Sequence, residues 1–206
     1  MISTTTIVAI ITVLCTLYAW KRPDIQEKWM MNPYRTDQRK EYYRFLTSGL
    51  IHADYIHLIF NMIAFYSFGQ QMEATFKAIF GPVAGIGIYL ALYVLGIVVS
   101  DIPTFLKHRS QPHYNSLGAS GGVSAVVFAY ILFNPMQRLG LLFIPIPLPA
   151  FVFGGLYMAY SYFMARRGGD YVNHDAHLWG ALFGIVFSIA VFPPVVELFT
   201  GQIMNR

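Results

Sequence analysis

The chain has 206 residues, of which 56% are hydrophobic and 12% are charged. An average soluble domain is about 25% charged, so this composition excludes an ordinary soluble protein and predicts an integral membrane protein in a lipid bilayer. The net charge of +4 is spread along the chain without a basic cluster interleaved with aromatic residues, which argues against a nucleic-acid partner. The single cysteine, Cys15, excludes a disulfide within the chain.

Six apolar segments approach the length of about 20 residues that a membrane-spanning helix needs. They cover residues 4–20, 47–68, 82–99, 120–133, 149–164 and 176–192. The first has no basic stretch before it and no small-residue cleavage site, so we expect an anchor rather than a signal peptide. The chain shows no repeat or second domain. The sequence therefore predicts one all-α membrane domain over residues 1–206, built as a bundle of six transmembrane helices.

Two unusual connections separate these segments. Residues 21–46 hold seven of the 14 Lys and Arg residues together with four acids, and they form either a solvated linker or a loop folded on the membrane surface. The Pro-Ile-Pro-Leu-Pro run at residues 145–149 cannot lie inside a helix, because proline lacks an N–H and disfavours helix in the residue before it. We expect the fifth helix to begin at Pro149, since proline is tolerated in a first turn.

A serine among glycines opens the fourth segment. Residues 118–122, Gly-Ala-Ser-Gly-Gly, fit the G-x-S-x-G pattern of soluble hydrolases, but that nucleophile elbow needs a strand before the serine and a parallel sheet around it. The sequence offers no such sheet. Two interpretations remain: small residues that let helices pack, or a nucleophile, Ser120, at a helix N-terminus that directs N–H groups toward developing negative charge.

The second segment carries polar side chains that are costly inside a membrane and therefore suggest function. His57 and Asn61 are four residues apart and share one helix face, and His52 lies about one turn earlier. Taken alone, these residues are better explained by hydrogen bonds between helices than by catalysis.

The last segment begins with His177, followed by Gly180 and Gly184 in a GxxxG spacing. Such a face lets two helices approach closely in lipid, and the small residues after Ser120 form a suitable partner surface. This packing would bring His177 within hydrogen-bonding reach of Ser120. A serine activated by a histidine beside hydrogen-bond donors is the minimum set for acyl transfer.

These motifs together resemble the rhomboid family of intramembrane serine proteases. The chain is similar to that family's H-x4-H-x3-N, G-x-S-G and A-H-x-x-G-x-x-x-G signatures, at residues 52–61, 118–121 and 176–184. The pair Tyr43-Arg44 resembles the family's aromatic-Arg pair in the first loop, and Gly69 with Glu73 resembles its G-x3-E. The resemblance covers about residues 43–197, with the motifs in the right order.

The resemblance implies an endopeptidase that cleaves transmembrane segments of other membrane proteins, with no cofactor and no metal. Ser120 would be the nucleophile and His177 the general base of a catalytic dyad. Asn61, His57 and the backbone N–H of Ser120 would hold the oxyanion. The residues expected to support the site are His52, Arg44, Gly118, Gly121, Gly180 and Gly184. The substrate helix would enter beside the fifth helix.

The sequence departs from the family pattern at two positions. Tyr43 replaces the tryptophan that is common in the first loop. Ser124 stands where many members place a tyrosine that stacks on the catalytic histidine, so in this chain that position cannot supply the ring for His177.

The histidines allow two other interpretations besides the dyad. His52, His57, His174 and His177 could bind a metal, but no Cys, Asp or Glu inside the membrane completes such a site. His174 competes with His177 as the base, but we expect it in a polar loop, outside the glycine spacing. Two other functions stay as alternatives: a catalytically silent rhomboid-like protein that binds membrane clients, and a small transporter with a polar histidine path.

The resemblance also leads us to expect a bacterial inner membrane, with the active site facing the extracytoplasmic side. In that orientation, eleven of the 14 Lys and Arg residues would lie outside. The positive-inside rule predicts the opposite orientation.

Overall fold

The computed structural model describes residues 2–141, 144–169 and 172–204. The predicted domain of residues 1–206 therefore includes seven positions outside this description: 1, 142–143, 170–171 and 205–206. The helices are α1 (Thr4–Lys21), α2 (Pro23–Trp29), α3 (Pro33–Arg39), α4 (Arg44–Thr47), α5 (Tyr55–Phe80), α6 (Pro82–His108), α7 (Ser120–Phe133), α8 (Ala150–Arg167), α9 (His174–Val191) and α10 (Val195–Met204). A 3₁₀ turn covers Ser48–Leu50, and two strands are β1 (Arg138–Leu141) and β2 (Ile144–Pro149).

The second apolar helix begins later and ends later than the sequence predicts. It starts at Tyr55 rather than at residue 47 because Asp54 caps it, accepting a hydrogen bond of 2.8 Å from the backbone N–H of His57. Residues 47–54 instead complete α4, form the 3₁₀ turn and enter a loop. His52 is consequently a loop residue and does not belong to the helix that carries His57.

Three other predicted boundaries also change. The third helix continues past residue 99 to His108. The fifth begins at Ala150, with Pro149 as its N-cap residue. The sixth begins at His174, because the Asn173 side chain accepts a hydrogen bond of 3.1 Å from the backbone N–H of Ala176 and caps the helix there. His174 is therefore a buried helical residue, and its expected place in a polar loop was wrong.

The proline-rich run forms a strand rather than a simple loop. β1 pairs antiparallel with β2, with Arg138 opposite Pro149 and Leu139 opposite Leu148. Proline can occupy a strand that lies at a sheet edge, where its missing N–H is not needed for pairing. The described residues are mostly helical, and this hairpin is a small addition to the predicted all-α fold.

The polar segment before the second apolar helix folds as a unit, which favours the folded loop over the solvated linker. Its centre is Arg44, only 1% exposed. The Arg44 Nη1 donates to the backbone oxygens of Glu27 at 2.9 Å and Met30 at 2.8 Å, while its Nε donates to the carboxylate of Glu41 at 2.6 Å. One buried guanidinium thus ties together α2, the residues after it and the start of α4.

α7 lies at the centre of the molecule. Twelve of its 14 residues are buried, and it packs against α5, α6 and α9. α1 is fastened to α5 by Glu73, whose carboxylate accepts hydrogen bonds from the backbone N–H groups of Thr4 and Thr5 at 3.1 and 2.8 Å. These N–H groups have no partner within their own helix, so the carboxylate holds the start of α1 against α5.

Three of the described helices are long and apolar enough to cross a membrane by length and composition: α1, α6 and α9. α5 and α8 have 26 and 18 residues, but polar side chains lower their mean hydropathy, and α7 has only 14 residues. The membrane character expected from the sequence therefore holds. The count of six spanning helices does not follow from the structure by itself.

Candidate active site

Ser120 is the first residue of α7. The chain reaches it through Gly118, whose φ of 129° lies in a region that L side chains rarely adopt. The backbone N–H of Gly118 donates to the Ser48 carbonyl at 2.9 Å. A Cβ at Gly118 would lie 2.5 Å from Cε1 of His57, so glycine is needed both for this backbone conformation and for the close approach of the His57 ring.

The register between α7 and α9 brings the start of one beside the start of the other. A Cβ at Gly180 would overlap the carbonyl oxygen of Gly121, and a Cβ at Gly184 would overlap the carbonyl oxygen of Ala125. Both contacts advance in the same chain direction, so the two helices run parallel. His177, three residues before Gly180, therefore lies in the turn of α9 that faces the N-terminus of α7.

A small cavity of about 10 Å³ opens beside Ser120 at this level. Its lining includes Ser120 and Gly121 from α7, Asp101 from α6, and Asn173 and Ala176 from the start of α9. A space of this size holds about one water molecule. The nucleophile candidate thus borders a polar cavity shared by three helices.

His52 connects α1 to the residue before Ser120. Its Nε2 accepts a hydrogen bond of 3.3 Å from the backbone N–H of Ala119, and its Nδ1 lies 3.1 Å from the hydroxyl of Thr16. Burial, together with the nearby His57, lowers the pKa of His52 to about 3, so the ring is neutral at pH 7. Since Nε2 accepts, Nδ1 carries the proton and donates to Thr16. His52 therefore fixes the backbone next to Ser120.

His57 and Asn61 lie on α5, and the His57 ring approaches Gly118 in the loop before Ser120. The His57 ring meets the His52 ring edge to face at 5.0 Å. The buried side chain of Asn61 donates one hydrogen of its amide to the backbone oxygen of His57 at 2.9 Å. An amide nitrogen carries two hydrogens, so this bond orients Asn61 and leaves a second donor position.

The first loop reaches the site through the loop before Ser120. Met31 and Ser116 exchange two backbone hydrogen bonds of 2.9 Å, and the Asn32 side chain donates to the Pro112 carbonyl at 3.1 Å. Arg44, which organises the first loop, thus supports the candidate site from a distance and does not take part in it directly.

The sequence did not identify Tyr157 of α8 as a site residue. Its ring stacks on the His177 ring, with centroids 6.1 Å apart and planes at 19°. Its hydroxyl lies 3.2 Å from the hydroxyl of Ser124. An aromatic ring thus lies against His177 although Ser124 replaces the family's tyrosine, and the small Ser124 was the sequence signal that pointed to this difference.

Across residues 2–141, 144–169 and 172–204, no group of three or more His, Cys, Asp or Glu side chains is arranged to hold a metal ion. His174 and His177 do lie close together, with ring centroids 5.8 Å apart.

One family model and several known proteins match the sequence of this chain. Residues 39–194 match the Rhomboid domain family. The chain is 28% identical over 151 residues to RHOMBOID-like protein 12, mitochondrial, of Arabidopsis thaliana, covering 66% of this chain and 42% of that protein. It is 28% identical over 195 residues to Presenilin-associated rhomboid-like protein A, mitochondrial, of Danio rerio, covering 88% and 45%. It is 31% identical over 143 residues to Presenilin-associated rhomboid-like protein, mitochondrial, of Mus musculus, covering 68% and 36%.

These relatives correct the expected location. The prediction of a bacterial inner membrane was wrong, because the plant, fish and mouse proteins that the chain resembles are mitochondrial. The chain spans less than half the length of each of these relatives, so the activities of the longer proteins do not transfer to it directly.

The family match covers more than half of the chain and includes all three signatures around Ser120, His57 and His177. The resemblance predicted from the sequence is confirmed: this chain belongs to the rhomboid family.

Proposed function

We propose that this chain is an intramembrane serine endopeptidase of the rhomboid type, with Ser120 as nucleophile and His177 as general base. The observation that carries the proposal is the close parallel packing of α7 and α9 through Gly180 and Gly121. This packing supports a short distance between the two side chains, which nucleophilic catalysis by a serine requires.

The proposed reaction follows the geometry of the loop before α7. The Ser120 hydroxyl attacks the carbonyl carbon of the scissile peptide bond while His177 takes its proton. Negative charge develops on the carbonyl oxygen, and the Ser120 N–H, the His57 ring and the second Asn61 donor stabilise it. The C–N bond then breaks as His177 gives the proton to the leaving amine. A water molecule, activated by His177, hydrolyses the acyl-enzyme and restores Ser120.

The proposed setting is a mitochondrial membrane, as for the relatives described above. In it, α1, α5, α6, α7, α8 and α9 form six membrane segments, and the substrates are transmembrane segments of other proteins. The short α7 begins below the surface, where the cavity beside Ser120 gives water a place next to the nucleophile.

Two other functions make different predictions. A catalytically silent relative would bind membrane proteins without cutting them, and a transporter would move a solute whether or not Ser120 is present. The arrangement of backbone and side-chain donors around Ser120 favours the protease, because neither alternative needs a nucleophile beside an oxyanion site.

The test uses the purified full chain, a fluorophosphonate probe and a model transmembrane substrate. We expect the probe to label Ser120, and we expect Ser120→Ala and His177→Ala each to abolish cleavage while the protein stays folded. The double variant should be no worse than either single variant, because the two residues act as a unit. Ser67→Ala, an exposed serine on α5, is the matched control.

Substantial cleavage by Ser120→Ala would overturn the dyad. An active His177→Ala together with an inactive His174→Ala would transfer the role of base to His174. If the wild-type chain neither cleaves nor becomes labelled, the silent relative is the better description.

A further inference from the structure

Tyr157 contacts both helices that carry the proposed dyad. Its ring lies against the His177 ring of α9 at 6.1 Å with nearly parallel planes. Its hydroxyl lies 3.2 Å from the hydroxyl of Ser124, one turn after Ser120 on α7. Ser124 is 5% exposed, so this polar contact is held inside the bundle. A single side chain of α8 therefore bridges α7 and α9 at the level of the site.

Most residues of the helix that carries Tyr157 are not buried within the bundle. Only three of the 18 residues of α8 are buried: Ala150, Gly154 and Ser161. A segment with few buried contacts opens at lower free energy cost than the core around it. α8 can therefore shift with the loss of few buried contacts.

A second aromatic contact lies one turn along the same interface. The Tyr160 ring meets the His174 ring edge to face at 5.5 Å. Tyr157 and Tyr160 are three residues apart, as are His174 and His177, so each pair lies on one helix face. The contact of α8 with the start of α9 is therefore made by two tyrosines against two histidines.

We propose that Tyr157 is the positioning residue for His177, so that the general base is oriented only while α8 is seated against α9. The proposal rests on the proposed function, in which His177 must present one ring nitrogen to Ser120. A flat ring stacked on the imidazole limits its rotation, and the hydroxyl bond to Ser124 holds that flat ring in register with α7. Movement of α8 away from α9 withdraws the ring and leaves the base disordered.

This arrangement links the seating of α8 to catalysis. A bulky segment inserted beside α8 separates Tyr157 from His177, and the base regains its orientation only after α8 closes again. Cleavage would then be suppressed while the bundle is open. Ser124 is small for the same reason, since a large side chain there would occupy the space that Tyr157 enters from α8.

The test measures the rate at which the fluorophosphonate probe labels Ser120 in the full chain. This small probe does not need a substrate helix to pass α8, so it reports on the nucleophile and base rather than on entry. Tyr157→Leu keeps apolar volume but removes the ring, and we expect labelling to slow about 10- to 100-fold, the scale of a misplacement of about 1 Å. Tyr157→Phe keeps the ring and loses only the hydroxyl contact with Ser124, so its labelling rate should lie between those of wild type and Tyr157→Leu.

Two further variants separate positioning from general damage. Tyr162→Ala removes an exposed tyrosine of the same helix and should label at the wild-type rate. In Tyr157→Ala/Ser124→Tyr, a ring projects from α7 into the space vacated by Tyr157, and it should recover most of the rate that Tyr157→Ala loses. Thermal unfolding of each variant establishes that it is folded.

Wild-type labelling rates in both Tyr157→Leu and Tyr157→Ala would overturn this inference and leave the proposed function intact. A folded Ser124→Tyr double variant no faster than Tyr157→Ala would also overturn it, because stacking would then not be the cause. No labelling of Ser120 in the wild-type chain would overturn the proposed function, and this inference with it.

Discussion

Gly180 of α9 lies so close to Gly121 of α7 that a methyl group on Gly180 would overlap the Gly121 carbonyl oxygen. The contact joins a helix whose first turns carry His177 to the residue directly after Ser120. The distance between these two backbones therefore controls the distance between the two proposed catalytic side chains.

Gly180→Ala should lower both stability and activity. The added methyl meets backbone atoms that cannot move aside like a flexible side chain, so the helices must separate. Overpacking of this kind costs about 1–3 kcal/mol, and a displacement of about 1 Å can slow the reaction on the order of 100-fold. Gly180→Leu and Gly184→Val should be more severe. Thermal unfolding and the rate of Ser120 labelling measure the two effects.

Gly87→Ala is the control for that experiment, since no heavy atom lies within 4 Å of a Cβ at Gly87. It should leave labelling unchanged. If Gly180→Ala were as stable and as quickly labelled as Gly87→Ala, the close packing of α7 and α9 would not set the position of His177.

Asn61→Ala should reduce kcat by roughly 10- to 1000-fold with little change in KM, as expected for the loss of one of several oxyanion donors. Steady-state cleavage of a model substrate gives both constants. Gln71→Ala is a matched control, because Gln71 is an exposed amide on the same helix that also donates to the carbonyl four residues earlier. A raised KM with an unchanged kcat would instead make Asn61 a substrate contact.

His52→Gln should destabilise the protein more at neutral than at acidic pH. His52 titrates near pH 6.5 when unfolded and near pH 3 when folded, so the unfolded state binds more protons between these values. The stability contributed by neutral His52 is therefore complete above about pH 6.5 and is lost as the pH falls toward 3. The gap in unfolding temperature between wild type and His52→Gln should narrow from pH 7.5 to pH 4.5.

His57 and Asp54 also face His52, so the comparison is made between variants at each pH and not from the wild-type curve alone. The exposed His113→Gln variant controls for the loss of a histidine elsewhere. A gap that is constant or that widens toward acidic pH would mean that His52 is not buried in its neutral form.

The predicted start of the fourth helix at Ser120 agrees with the structure, whereas the predicted start of the second helix does not. Gly118, two residues before Ser120, has a positive φ that does not occur inside an α-helix. A glycine in the sequence indicates such a position, so the start of the fourth helix could be predicted. Apolar residues continue through residues 47–54, although these positions include a 3₁₀ turn and a loop. An apolar window therefore begins eight residues before the true start of the helix at Tyr55. The cap at Asp54 was the better signal, because capping depends on local hydrogen bonding and not on apolarity.

The polar loop at residues 21–46 shows what local pattern cannot decide. Its composition fits a solvated linker as well as a folded loop. Arg44 settles the question only through backbone oxygens at Glu27 and Met30, 17 and 14 residues away. No propensity within a short window carries that information.

The sequence by itself determined the membrane class, the family and the candidate dyad, because composition, ordered motifs and glycine spacing are all written along the chain. Only the tertiary structure shows which side chain packs against the candidate base. Tyr157 lies 33 residues from Ser124 and belongs to no motif, so its contact with His177 exists only after α7, α8 and α9 have packed together. Local spacing predicts which residues share a helix face, but only the packing of helices determines which faces meet.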